Sequence, residues 1–328
     1  MARDAVDTDI AKERGRRSAL LPDRPAIAVA ICTYKRNEAL TNLLEALLVS
    51  VERLAGRAEV GVVIVDDTAE GNARPVAEKF AGRFDLGVAY RVSGRKNISL
   101  ARNLAIETAV EIGDWVAMID DDCEPGPNWL SAMLDVQRRT GAGAVTGTMI
   151  RRMPPGSPKW LTDEPFLDMG QSRPEDGALV PLAATFNSMV SSRWLKDHPH
   201  IRFQPNLGVI GGEDMVFFGT ARAAGLQINY SQEGFVYENQ PPSRATFSYQ
   251  LRSHFWHGNS SYVTSVRNGM HPFRMFLHGV SSLFGSLVRP IVRLSHGQRP
   301  QLRYWLASML HSLGKIVGIF GVKVNHPL

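Results

Sequence analysis

Acidic side chains run out before the chain does. From Pro241 to Leu328 there are ten Lys or Arg residues and no Asp or Glu. The 328 residues together carry +5, so setting those ten charges aside leaves the first 240 residues at −5. That split suggests an acidic body that takes a cation and a basic tail that faces phosphates or an anionic surface. Cysteine is almost missing: Cys32 and Cys123 make no disulfide framework and suggest a reducing compartment. The charged N-terminus has no apolar segment, so it does not read as a secretory signal, and residues 1–24 read as a patternless, disordered leader. No period of the kind that marks a repeat protein is present. No Gly-x-Gly-x-x-Gly follows the first apolar run, which argues against a dinucleotide-binding dehydrogenase, and there is no Gly-Lys-Ser/Thr phosphate loop.

What is present is globular: 44% apolar and 21% charged, long enough for one large α/β domain with an appendage. Ala26 to Thr33 and Val60 to Val65 are nearly all apolar, as strands buried on both faces are. Between them Leu40, Leu43, Leu44, Leu47, Leu48, Val51 and Leu54 recur at helical spacing. A helix over 73–81, a strand over 86–92, a helix over 98–112, a strand over 115–119, a helix over 128–139 and a strand over 144–149 continue the alternation. This β-α-β rhythm predicts a mostly parallel, doubly wound (Rossmann-like) sheet flanked by helices. Residues 151–180, rich in proline and holding Trp160, read as a long loop near a site. A strand over 182–190, a short helix capped by Ser191 or Ser192, a helix from Gly211-Gly212-Glu213-Asp214 to about Ala224, and two short strands over 226–230 and 234–238 complete a body ending near residue 240. It divides into halves at about 25–150 and 151–240. The remaining 241–328 form a basic helical tail.

One stretch carries the chemistry. The run Trp115 to Ile119 ends in Asp120, Asp121 and Asp122, at the carboxyl end of a strand, where open α/β sheets bind ligands. Adjacent carboxylates repel one another unless a cation is present. Clustered hard oxygens therefore suggest Mg2+ or Mn2+, held by a few carboxylates plus substrate phosphates. A solvated acidic turn capping the next helix is the plainer alternative. Asp66 and Asp67 close the second strand on the same edge, placed to take donors from a ribose or base, or to cap a turn. Arg95, Lys96 and Arg102 face a base or phosphate, or solvent. His254 and His257 lie three apart on one helix face, as a further metal ligand or phosphate contact, or as ordinary packing. Trp160, Trp194 and Trp256 offer stacking platforms for a sugar, or core.

The first strand with Thr33, the Asp66-Asp67 pair, Asn97 with Ala101-Arg102-Asn103, the triple Asp after Ile119, and Gly212-Glu213-Asp214 resemble, in order and spacing, the motif series of family 2 glycosyltransferases. The resemblance spans roughly residues 26–225. It implies a GT-A fold, a nucleotide-sugar donor (UDP being the family's commonest nucleotide), a divalent cation, and inversion at the anomeric carbon. It implies Thr33, Tyr34, Arg36, Asp66, Asp67, Arg95, Asn97, Arg102, Asp120 and Asp121 around the nucleotide-sugar, with Asp67 at the base and Asp120 at the ribose. Asp122 falls to the metal, with Asp120 or Asp121 helping and His257 as a late ligand. Asp214 falls to the catalytic base, with Glu213 as the alternate. Trp160, Trp194 and Gly212 fall on the acceptor side. Processive members carry Gln-x-x-Arg-Trp; the nearest match here, Gln301-Leu302-Arg303-Tyr304-Trp305, has Tyr for Arg and lies late, which points to a single transfer.

In the tail, Phe273–Leu294 and Tyr304–Val322 read as basic amphipathic helices on the anionic inner face of the cell membrane. Such a placement suits a saccharide or lipid-linked saccharide acceptor. A helical appendage, a homodimer interface and a true span are the alternatives. Two other functions stay open at this stage. A nucleotidyltransferase would share the carboxylates, but Thr33 to Asn37 lacks its usual glycines. A non-catalytic nucleotide or nucleic-acid binder would use the tail, but two acidic strand ends repel a phosphate backbone, so no nucleic acid is expected.

Overall fold

The computed structural model describes residues 24–167, 173–208 and 210–324. The leader expected over 1–24 lies outside the described residues apart from Arg24.

The strands are β1 (Ala26–Thr33), β2 (Glu59–Asp66), β3 (Val88–Val92), β4 (Trp115–Asp120), β5 (Cys123–Pro125), β6 (Ala144–Arg152), β7 (Ser188–Ser191) and β8 (Ile228–Asn239). They form one eight-stranded sheet in the order β3-β2-β1-β4-β7-β6-β8-β5. One half is parallel: β1 pairs with β2 and β4, and β2 with β3. Beyond β4 the direction reverses, with β7 antiparallel to both β4 and β6, and β5 antiparallel to β8. Helices α1 (Asn37–Arg53), α2 (Arg74–Lys79), α3 (Ile98–Ile112), α4 (Trp129–Thr140), α5 (Trp160–Asp163), α6 (Ser192–Asp197) and α7 (Glu213–Ala223) fall between strands. Then come α8 (Phe247–Arg267), α9 (Pro272–Ser295) and α10 (Leu302–Gly318).

The expected parallel strands form because their side chains alternate between two cores. Ile27, Val29, Ile31, Val62, Ile64, Ala117 and Ile119 pack with Leu40, Leu43 and Leu47 of α1 and Leu130 and Met133 of α4. Ala28, Ala30, Val63, Val65, Val116 and Met118 face the other way, onto Ala101, Ala105 and Ala109 of α3 and Phe217 and Phe218 of α7. A period of two with both faces apolar means both faces are covered. Asn187, fully buried, accepts from Trp129 Nε1 at 2.8 Å and donates to the carbonyls of Thr148 and Gly234.

Three expected elements differ. The strand read over 182–190 shrinks to Ser188–Ser191. The two strands read over 226–230 and 234–238 are one, β8, whose polar middle interrupts the apolar pattern but not the backbone. The acidic turn leads into β5 before α4 begins. Ser191 does cap α6, accepting from Trp194 N, and Gly225 ends α7 with a positive φ of 95°.

The chain divides into two compact units. The first comprises Met1–Met149, Arg173–Pro205 and Phe217–Glu238; the second Ile150–Ser172, Asn206–Val216 and Asn239–Leu328. The division falls elsewhere than at residue 240: stretches 150–172 and 206–216 belong with the basic tail.

In the second unit α8 and α10 approach backbone to backbone. A Cβ on Gly258 would collide with the carbonyl of His311, and one on Gly314 with the carbonyl of Phe255. Only glycine permits that contact. Asn259, fully buried beside it, donates to Val322 O at 2.9 Å and accepts from Val324 N at 3.0 Å. A small apolar cluster of Leu161, Phe166 and Ala307 lies among Trp160, Phe247 and Tyr304. Burial holds His254 and His311 below the usual histidine range, His311 at about 4 with Lys315 adding to the effect.

Candidate active site

The carboxyl ends of β1, β2 and β4 are neighbours because their register is fixed: Thr33 lies opposite Asp66, and Cys32 opposite Asp120. Thr33, Asp66, Asp67 and the triple Asp are thereby brought to one edge.

Asp120, Asp121 and Asp122 are paired with side chains. Arg102 Nη2, from α3, donates to Asp120 Oδ1 at 2.8 Å. Thr33 Oγ1 donates to Asp121 Oδ2 at 2.8 Å. Arg36 Nη1 bridges the other two, at 2.9 Å from Asp121 Oδ1 and 3.0 Å from Asp122 Oδ2. Two guanidiniums do not balance three carboxylates. Burial, then Asp120, push the Asp122 carboxyl up to about 6 against the pull of Arg36. Burial also raises Asp121, although Arg36 and Thr33 oppose it. Desolvation holds the Cys32 thiol up at about 12, so no thiolate nucleophile is available here at neutral pH.

This donor set fits a divalent cation. Asp122 is a hard oxygen ligand short of positive charge, next to two more carboxylates. Among the described residues no group of three or more His, Cys, Asp or Glu forms a cage. Mg2+ and Mn2+ take one or two carboxylates and complete their shell with water and substrate phosphate, so Asp122 with a neighbour would be the residues to hold one.

Asp66 and Asp67 are used differently. Asp66 is fully buried, and both oxygens are taken. Oδ1 accepts from Thr68 N and Thr68 Oγ1 at 2.8 and 2.7 Å. Oδ2 accepts from Ala73 N and Tyr90 OH at 2.6 and 2.8 Å. Asp66 is expected among the nucleotide-sugar residues; here its carboxylate builds the loop after β2. Asp67 accepts from the backbone N–H groups of Arg95 and Asn97 at 2.9 and 2.7 Å. It pins the basic loop with half its lone pairs still available. Asn97 caps α3 by accepting from Leu100 N, and its amide donates to Pro205 O at 2.8 Å, so it too is a positioning residue. The side chains of Arg95 and Lys96 are exposed, Lys96 with a positive φ of 49°. Tyr34 is exposed beside Lys35, whose Nζ lies 5.4 Å from its ring.

The second unit holds the remaining candidates. Gly211 and Gly212 have φ of 89° and 83° and lie against α8, where a Cβ would run into Trp256 and into Thr264 and Ser260. Gly212 is thus fixed by its own backbone and offers the acceptor nothing but space. The turn presents Glu213 and Asp214 at the start of α7. Glu213 is buried, and Asp214 Oδ1 accepts from Met215 N at 2.7 Å. Trp256 Nε1 ties α8 to Ile210 O at 2.9 Å. His257 is half-buried beside Trp256. Trp160, expected on the acceptor side, is partly buried and packs edge-on to Phe166 and Phe247. In the first unit Trp194 stacks on His198, ring centroids 4.2 Å apart. Thr68, Tyr90 and Asn103 carry supporting bonds that sequence reading passed over. Asn103, for one, donates to and accepts from the backbone of Phe203.

Residues 28–198 match the model of glycosyl transferase family 2. Over 306 residues the chain is 28% identical to the succinoglycan biosynthesis protein ExoM of Rhizobium meliloti (strain 1021), covering 90% of this chain and 94% of that one. It is 24% identical to the glucosyl-dolichyl phosphate glucuronosyltransferase of Haloferax volcanii, over 73% of this chain and 77% of the other. In structure it is similar to the mannosyltransferase PcManGT of Pyrobaculum calidifontis, solved with GDP-Man and Mn2+, with a TM-score of 0.60, 15% identity and 97% of each chain covered. That likeness is one of fold.

Proposed function

Because the chain belongs to glycosyl transferase family 2, we propose that it moves one sugar, with inversion, from a nucleotide-diphospho-sugar to a hydroxyl of a saccharide or lipid-linked saccharide. It is a glycosyltransferase of the GT-A fold; the donor, cation, stereochemistry and residue roles are the proposal. The observation that carries them is the charge-short carboxylate cluster at the end of β4, with Asp122 pushed up to about 6. The names of the relatives, a polysaccharide biosynthesis protein and a dolichyl phosphate glucuronosyltransferase, support a glycan acceptor. The GDP-Man and Mn2+ of the structural neighbour support a nucleotide-sugar with a divalent cation. UDP is the nucleotide expected first.

In this reading Asp122, with Asp120 or Asp121, holds Mn2+ or Mg2+ on the donor diphosphate. A cation held there would supply Lewis-acid neutralisation of the leaving diphosphate, without protonation. Asp67 and the loop it pins receive the base, and Arg102 orients Asp120 toward the ribose. The acceptor oxygen bonds to the anomeric carbon as the bond to the diphosphate oxygen breaks, and the electron pair leaves with the diphosphate. Asp214 takes the hydroxyl proton; its place at a helix start surrounds it with N–H donors. Such general-base help contributes about 10²–10⁴-fold. The tail lies on an anionic membrane leaflet, at the inner face of the cell membrane. Its support is α9, long and apolar enough to cross a membrane yet mostly exposed, in a tail without acidic residues.

Calorimetric titration with UDP, GDP and dTDP, each with and without Mn2+, tests the site. Mn2+-dependent binding of one nucleotide, lost in Asp122→Ala, is the expected result. No binding of any of them under either condition would overturn the reading. NMR of the product anomer tests inversion. Pelleting with vesicles tests the membrane placement, which fails if anionic vesicles at low salt retain no protein.

A further inference from the structure

The second unit contains a cavity of about 500 Å3 that the transfer reaction does not use. It opens between α9 and α10. Arg289 and Arg293, one turn apart on α9, line it, together with Gln301, Tyr304 and Trp305. Among the described residues neither arginine pairs with a carboxylate; the Arg293 Nε donates to the Arg299 carbonyl at 3.3 Å. Trp305 Nε1 is buried without a hydrogen-bond partner. The nearest carboxylate, Glu164, is already engaged: it accepts from Tyr304 N at 2.6 Å and lies 3.8 Å from Arg303. The other wall is apolar. Val288 and Val292 line the cavity and are 37% and 47% exposed, so the wall runs on into the open face of α9 that carries Phe284, Leu287 and Ile291.

We propose that this cavity is a binding site for the phosphate of a membrane lipid. Two guanidiniums with no carboxylate partner among the described residues form a donor set for phosphate oxygens. The hydrocarbon chain lies along Val288, Val292 and the exposed stripe of α9. Each half of that ligand alone fits worse. Inorganic phosphate would leave the apolar wall against water, and a neutral hydrocarbon would leave both guanidiniums without a counter-charge. The cavity has the size and the mixture of apolar wall and few polar groups that ligand sites have. The inference rests on the membrane placement proposed above, and names the lipid chemistry the tail would recognise.

A soluble probe separates the two. The full chain is titrated calorimetrically with dihexanoyl phosphatidate below its micelle concentration, and with dihexanoyl phosphatidylcholine and inorganic phosphate as controls. Phosphatidate binds at least tenfold more tightly than the choline lipid, and inorganic phosphate at equal concentration does not displace it. The double variant Arg289→Ala/Arg293→Ala loses that preference. So does Gly285→Leu, which fills the cavity from a position where an added Cβ meets no atom within 4 Å and helix propensity improves. Both variants keep the parent's melting temperature and its nucleotide binding. Equal affinity for the choline lipid, displacement by inorganic phosphate, or wild-type binding by both variants overturns the site. Loss of nucleotide binding with the lipid arm intact strikes the transferase reading alone, and failure to pellet with vesicles strikes the membrane placement alone.

Discussion

The ends of β2 and β4 lie on the same sheet edge and carry the same side chain, yet spend it in opposite ways. Asp66 and Asp67 bond mainly to backbone N–H groups and hydroxyls, of the loop after β2, of Tyr90 and of the loop after β3. Asp120, Asp121 and Asp122 bond to the guanidiniums of Arg36 and Arg102 and to one hydroxyl. A backbone donor cannot leave without unfolding the loop. A guanidinium on a long side chain can swing away when a better cation arrives. The first pair is therefore architecture, and the second cluster is exchangeable.

The strongest way to break this contrast is to cut both ends. Asp122→Ala is expected to lower transfer by about 1,000-fold, equivalent to ~4 kcal/mol of barrier, with an unchanged melting temperature. Asp66→Ala is expected to do the reverse to the protein as a whole. It strands buried donors and destabilises by about 3–4 kcal/mol, read as a melting temperature lower by roughly 10 °C. If Asp66→Ala melts like the parent, the architectural role is wrong. A smaller cut sharpens the point. Tyr90→Phe removes one of the four bonds to Asp66 and should cost about 1 kcal/mol with transfer per folded molecule unchanged. Arg36→Gln, measured by Mn2+ titration, should leave the fold alone and tighten cation binding severalfold, since it removes a competing positive charge. A separate effect is a background that must be removed from any pH scan. His311 is held at about 4 when folded, against 6.5 for the ordinary group. The unfolded chain takes up that proton first, so stability is full above 6.5 and falls as pH drops toward 4. The loss is about 3 kcal/mol, and His311→Gln should flatten that limb.

Much of the first unit was legible because its pattern is strong. Strands apolar at every position can only be buried on both faces, and the 98–112 helix appears at the bounds its spacing predicts. β5 was missed because three residues directly after a charged turn give no periodicity. β8 was split because Ser231 to Glu233 are polar, and a β-strand's backbone bonds do not depend on side-chain polarity. The acidic edge was visible as composition, but the fate of each carboxylate was not. Asp66 is fixed by Tyr90, 24 residues away, and nothing local in the sequence marks that partner. The same holds for Trp160: an aromatic in a proline-rich loop carries no sign of the rings that will enclose it.

The glycine contact between α8 and α10 has a consequence for how such tails should be traced among other proteins. Where two helices touch through bare backbone, the outward residues are at liberty to change while the contact points are not. A relative's tail would then be recognised by one glycine in its first helix, like Gly258, and one in its last, like Gly314. Its charges and apolar stripe would be free to drift with whatever surface that relative has come to meet.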